Sequence, residues 1–229
     1  MTRLRRGIGV GLSLFAGSLI VSGCLARPTP WVGSGLRVGV AGDSEIYQLE
    51  HDTLNDSQHH LTDALVVAGF QVSTADVIGA STNDLAALLN HAPETAGWPV
   101  PAPQITVTAL GVNDMHIDAD TGQPHTPVAA AQANLTAYLD QVDAAGSRCD
   151  ALVEIPETTP WGLDGTGPVW NAFLASTAET HVVVVVPWAS TVAQHPEYVR
   201  SDGVHQTTAG KTAYLAAILA AVRNCAAQT

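Results

Sequence analysis

Basic side chains are scarce in this 229-residue chain: nine Lys and Arg stand against 21 Asp and Glu, a formal net charge of −12 at pH 7. Three of the nine, Arg3, Arg5 and Arg6, lie at the N-terminus where there are no acids, so the remainder carries six bases against 21 acids, a balance of −15. Such a body repels phosphate backbones, which argues against a nucleic-acid partner, and anionic lipid surfaces do not attract it either. Charged residues of all kinds make up only 13% while apolar ones reach 46%, which excludes a disordered chain. Cysteine is limited to Cys24, Cys149 and Cys225. His51, His59, His60, His116, His125 and His195 fall at no metal-ligand spacing with these or with one another, so solvated histidines and no metal or other cofactor are expected. Asp118-Ala119-Asp120-Thr121-Gly122 opens like a calcium loop but lacks the remaining acids and the distal Glu. There is no internal repeat, no second core, and no Gly-x-Ser-x-Gly nucleophile motif.

The N-terminus reads as a targeting segment. Arg3, Arg5 and Arg6 form a basic region, Gly7 to Ile20 an uncharged run, and Val21-Ser22-Gly23-Cys24 a small-residue cleavage site. The run is short for a membrane-spanning helix. Its end resembles the lipobox of bacterial lipoproteins, in which the cysteine is lipidated and becomes the mature N-terminus; a plain cleaved signal or an uncleaved anchor are the alternatives. Residues 1–24 are thus expected to be a signal with Cys24 lipidated, 25–35 a Pro- and Gly-rich tether, and 36–229 one domain. Multiple acyl chains would hold the protein at the outer face of a cell membrane whatever its charge.

Beyond the tether, strands and helices alternate. Strands are expected at Leu36–Ala41, Phe70–Thr74, Ile105–Leu110, Ala151–Ile155 and the β-branched run Val182–Val186; helices at about Ser57–Gly69, Asp84–Asn90, Val128–Ala145, Val169–Thr180 and Thr207–Asn224. His91–Pro103, Met115–Pro127, Pro156–Pro168 and the stretch from Pro187 to Asp202 read as loops. This pattern predicts an α/β fold of three layers, a parallel sheet of about five strands with helices on both faces. In such a sheet Cys149, just before the fourth strand, and Cys225, at the end of the last helix, share the edge where strands begin. In an oxidising compartment a Cys149–Cys225 disulfide is favoured over two separate buried thiols.

Four short blocks each follow a strand: Gly42-Asp43-Ser44, Gly79, Gly111-Val112-Asn113-Asp114, and Asp202-Gly203-Val204-His205. In order and position they resemble the SGNH (GDSL-type) hydrolases, a flavodoxin-like family of esterases, lipases and acyltransferases. The resemblance implies Ser44 as nucleophile, His205 as general base and Asp202 as the acid that orients it. It also implies an oxyanion hole from the Ser44 and Gly79 N–H groups and the Asn113 side-chain amide. The physics agrees: a serine hydroxyl is inert without a base, and Asp at i with His at i+3 lets one carboxylate reach the ring. Asp43 is read as a turn residue supporting the elbow, Gly111 as part of the same framework, and Asp114 as a cap. If the five strands run in the order 2-1-3-4-5, the last lies ~14 Å from the first, so the stretch after Pro187 must fold back over the edge.

Two details depart from the family pattern or stay open. Glu45 stands where an apolar residue is common and is expected to be exposed. Trp161, Trp170 and Trp188 lie at the expected catalytic edge and either line an acyl or sugar pocket or cover the core. The expected function is serine-dependent hydrolysis of a carboxylic ester at the cell envelope. The alternative is acyl transfer to an envelope glycan or lipid with the same residues; Tyr198 through His205 and Gly210 also resemble the SGNH domains of envelope O-acetyltransferases. A catalytically silent binding lipoprotein is a third reading. A small-molecule, lipid or glycan ester is the expected partner, and a monomer is favoured.

Overall fold

A computed structural model of the chain describes residues 28–51, 61–89 and 97–228. Its sheet has six strands, β1 (Val32–Gly33), β2 (Arg37–Gly42), β3 (Gln71–Asp76), β4 (Ile105–Ala109), β5 (Cys149–Val153) and β6 (Val183–Val186), in the order β1-β3-β2-β4-β5-β6. The last five are parallel, and short β1 adds an antiparallel edge to β3. Apart from that edge, the order is the expected 2-1-3-4-5.

Seven α-helices are described: α1 (Ser44–His51), α2 (Leu61–Val67), α3 (Val112–Met115), α4 (Val128–Ala144), α5 (Leu163–Ser176), α6 (Trp188–Gln194) and α7 (Thr208–Gln228). The strands alternate their buried side chains between two apolar layers, as a sheet covered on both faces must. Val38, Val40, Val72, Val107 and Val153 face α1, α2, α6 and α7 through Ile46, Leu65, Trp188 and Ile218. Ala41, Ala75 and Leu152 face the other way, against Leu85, Leu135, Tyr138 and Trp170. The small residues on this second face leave room for bulk: a side chain at Gly39 would press on Pro103 and Trp98 at 3.1–3.2 Å.

Cys149 and Cys225 are both fully buried and joined in a disulfide with a Cα–Cα distance of 5.4 Å. The bond pins the end of α7 to the start of β5 across 76 residues of chain. Closing a loop of that size typically stabilises a fold by about 2–5 kcal/mol, because the unfolded chain has fewer conformations to lose.

Several expectations need correction. Residues 28–35 are not a free tether: the Thr29 N–H donates to the Thr74 carbonyl at 2.8 Å, and Val32–Gly33 pair with β3. Gly33 and Gly35 looked like flexible spacers, yet a Cβ there would sit 2.5 Å from the Phe70 carbonyl oxygen and 2.1 Å from that of Gly69. They are glycine because two backbones touch, and the contact covers an otherwise bare sheet edge. The stretch after Pro187 is not all loop, because Trp188 and Val192, one helical turn apart, bury themselves as α6. Helix α5 starts six residues earlier than expected, with Pro168 inside it. The expected leader with Cys24, the start of the helix from Ser57, and His59 and His60 lie outside the described residues.

Candidate active site

Strand β2 delivers the site's first residue. Gly42 ends it, and a Cβ there would lie 2.2 Å from Ile46, so only glycine lets α1 fold back so tightly. Asp43 then caps α1, its Oδ1 accepting the Glu45 N–H at 2.9 Å and its carbonyl accepting that of Tyr47 at 2.9 Å. Ser44 is the first residue of α1 and is buried, 8% exposed. Its own N–H has no acceptor within the helix.

The Ser44 hydroxyl meets His205 Nε2 at 2.9 Å, and His205 Nδ1 meets Asp202 Oδ2 at 2.9 Å. The other Asp202 oxygen accepts the N–H groups of Val204 (2.9 Å) and His205 (3.0 Å), so one carboxylate holds both the turn and the ring. Burial pushes the Asp202 carboxyl up, but the Val204 N–H and the His205 side chain and N–H outweigh it and hold the group below its ordinary range. An ionised carboxylate only accepts, so Nδ1 carries the ring proton and Nε2 offers its lone pair to Ser44. Gly203 makes the turn possible: its φ is 75°, and a Cβ would lie 2.7 Å from the Thr158 hydroxyl oxygen, which donates to the Gly203 carbonyl at 2.9 Å. The fold-back from β6 is fixed by the pairing of Val199 with Gln206 and by the Arg200 N–H donating to the His205 carbonyl at 2.8 Å.

The other two blocks meet at the same rim. Asn113 Nδ2 donates to the Ala80 carbonyl at 2.8 Å and reaches Asp43 Oδ2 at 3.3 Å. The second contact is the longer of the two. Gly79, one residue before Ala80, is exposed with φ 84°, and its N–H has no partner among the described residues. Asp114 is fully buried and accepts from the Thr82 N–H (2.9 Å) and hydroxyl (2.7 Å). It thereby caps the 3-10 helix Thr82–Leu89 and ties the Gly79 turn to α3. Gly111 has φ 128°, and the space of its missing side chain is taken by the Trp170 indole, 2.4 Å from where a Cβ would stand.

No protein-family model matches the sequence, and no curated protein matches it. Solved structures do. A lipase/acylhydrolase from Enterococcus faecalis is 18% identical over 83% of this chain and 96% of its own, with a TM-score of 0.63. A catalytic mutant of Axe2, an acetylxylan esterase from Geobacillus stearothermophilus, is 18% identical over 83% of this chain and 95% of its own, at 0.66. TesA is 20% identical over 82% and 99%, at 0.60. The fold is that of the SGNH hydrolases.

Within that SGNH framework the structure decides between the two readings of the tryptophans and overturns the one for Glu45. Trp170 and Trp188 are 1% and 0% exposed, so they cover the core, and only half-buried Trp161 remains beside His205. Glu45 is not exposed: it is 3% exposed, and Gln206 Nε2 donates to its Oε1 at 2.6 Å. Glu45 follows Ser44 and Gln206 follows His205, so a second buried strut runs alongside the Ser44–His205 contact. Helix periodicity alone could not reveal this, because the partner is 161 residues away. The signal available was an acid where the family usually has an apolar side chain. Burial pushes the Glu45 carboxyl well above its ordinary range, with the charges of Asp43 and Asp202 adding to it and the Gln206 amide opposing. Burial likewise pushes Asp43 up to about 7, opposed by the Glu45 N–H and reinforced by Asp114.

A folded chain that keeps protons on Glu45 and Asp43 binds more of them than the unfolded chain, whose carboxyls ionise in their ordinary range. Stability therefore falls as pH rises from that range until both groups ionise in the folded chain as well. Between about pH 5 and pH 8, Tm should fall, and Glu45→Gln, which keeps an acceptor for Gln206, should flatten the fall. Calorimetry showing the same slope in both proteins would contradict a neutral, buried Glu45.

Proposed function

We propose that this protein is a serine-dependent carboxylic ester hydrolase working through an acyl-enzyme. The observation that carries the reading is the unbroken relay from Ser44 Oγ through His205 to Asp202, with both contacts at 2.9 Å. His205 Nε2 takes the hydroxyl proton as Ser44 Oγ attacks the ester carbonyl carbon, and the carbonyl oxygen becomes an oxyanion. The Ser44 and Gly79 N–H groups and the Asn113 amide are the donors available to it. When the tetrahedral adduct collapses, the bond to the alcohol oxygen breaks and His205 returns its proton to that oxygen. Water, deprotonated by His205, then attacks the acyl-enzyme, and its collapse releases the acid and restores the Ser44 hydroxyl. Asp202 stays ionised throughout, stabilising the imidazolium while it exists. The solved structures of like fold include a lipase/acylhydrolase and an acetylxylan esterase, which supports an ester as substrate. An alcohol in place of water would turn the same steps into acyl transfer.

We further propose export and lipidation at Cys24. Thr29 pairs with Thr74 on β3, so the four residues between Cys24 and Thr29, a span of at most about 18 Å, would separate the lipid from the sheet edge.

A fluorophosphonate probe should label Ser44 in the wild-type protein and leave Ser44→Ala and His205→Ala unlabelled. Equal labelling of wild type and Ser44→Ala would remove the proposal. For the anchor, Cys24→Ala should abolish incorporation of labelled fatty acid; incorporation that survives the substitution would contradict lipidation there.

A further inference from the structure

Three rings stand in a row at the rim and take no part in the relay. Trp161 lies edge-on to His205 with ring centroids 6.0 Å apart, His116 is 4.6 Å from Trp161, and His125 is 4.7 Å from His116. Trp161 and His116 are half-buried and His125 is exposed. The row is held by backbone. The His125 N–H donates to the His116 carbonyl at 3.0 Å, Ile117 bridges Pro124, and the Ile117 N–H donates to the Trp161 carbonyl at 3.0 Å. Gly162, at φ 70°, leaves the space that Ile117 fills, 2.6 Å from where a Cβ would stand. Two loops are thus clasped together, with the Trp161 ring at the end of the row that meets His205. Trp161 packs in part against the core layer of Leu163 and Trp170, but unlike Trp170 and Trp188 it stays half-buried, with surface left over for a ligand.

We infer that Trp161, His116 and His125 form the subsite for the alcohol part of the ester, and that this alcohol is a neutral sugar ring. The inference rests on the esterase reading above. His205 must hand its proton to the departing oxygen, so the alcohol lies within hydrogen-bond reach of Nε2. Trp161 is the ring that stands against His205, with centroids 6.0 Å apart. Flat polarisable rings suit the C–H face of a pyranose, and ordered rings cost little entropy on binding.

The edges of the row are polar: the imidazole nitrogens, and Asp118 with an oxygen 3.8 Å from His125 Nε2. They match sugar hydroxyls, whereas a plain alkyl alcohol would leave them unpaired. An acidic sugar would meet Asp118 and a chain of net charge −12. Burial, with the charge of His125 adding and that of Asp118 opposing, lowers the His116 pKa, so that ring is a neutral stacking surface near pH 7.

The test compares a mono-O-acetylated methyl glucoside with cyclohexyl acetate, which has the same ring size and no hydroxyls. Relative to wild type, Trp161→Ala and His125→Ala should each lower the kcat/KM ratio of sugar ester to cyclohexyl ester about 10-fold, mostly through KM, and Trp161→Phe should restore most of it. Equal losses on both esters, or no loss on either, would overturn the inference. Saturation-transfer NMR of methyl glucoside with Ser44→Ala separates this claim from the esterase reading. Transfer from the Trp161 ring to the sugar, lost in the Ser44→Ala Trp161→Ala double variant, supports the subsite even if neither ester is cleaved. No transfer in Ser44→Ala, even with ester cleavage intact, overturns it.

Discussion

A hydrogen bond between the Ser44 hydroxyl and His205 Nε2 joins residues 161 positions apart, and most of the architecture serves to make it possible. Ser44 leaves the sheet at β2, whereas His205 comes after β6, three strands further along. Parallel strands place both carboxyl ends on one rim but ~14 Å apart, and that gap has to be crossed by chain that carries its own structure. Helix α6 anchors the crossing through Trp188 and Val192, and the Val199–Gln206 pairing turns it back toward Ser44. The left-handed Gly203 then lets Asp202 hold the turn and the ring with one carboxylate.

Buried carboxyls brace the rim from behind. Asp43 caps α1 and faces Asn113, Asp114 ties the Gly79 turn to α3, and Glu45 meets Gln206. Each is satisfied by donors from another segment, which is how polar groups persist in a core. The cost is electrostatic: burial and mutual repulsion push Asp43 and Glu45 toward their neutral forms. Asp202 is the exception. It lies partly exposed among N–H donors and stays ionised, as the relay requires. Carboxyls close together are thus pushed in opposite directions because their surroundings differ.

The parts legible in sequence were those with a local signature. β-branched runs such as Val182–Val186 marked buried strands, and the Gly-Asp-Ser and Asp-Gly-Val-His turns carried their chemistry within a few residues. The strand order 2-1-3-4-5, taken only as a condition, is the one observed, and Cys149 and Cys225 met where strands begin and helices end. What escaped depended on distant neighbours. Glu45 looked exposed because nothing nearby showed Gln206. Gly33 and Gly35 looked like spacers because the Phe70 and Gly69 carbonyls that crowd them lie far along the chain. For Trp170 and Trp188 the sequence left pocket lining and core covering open, and burial against the core decides for the second. Trp161 differed only in what packed beside it.

In the proposed reaction, nucleophile, base and oxyanion donors converge on one reacting group. A crystal structure of the protein after reaction with a small alkyl phosphonate tests it most directly. Phosphorus is expected on Ser44 Oγ, with its free oxygen about 2.7–3.1 Å from the Ser44 and Gly79 nitrogens and Asn113 Nδ2, and the Asn113–Asp43 contact given up. An adduct whose oxygen points to solvent, with Gly79 and Asn113 untouched, would contradict it.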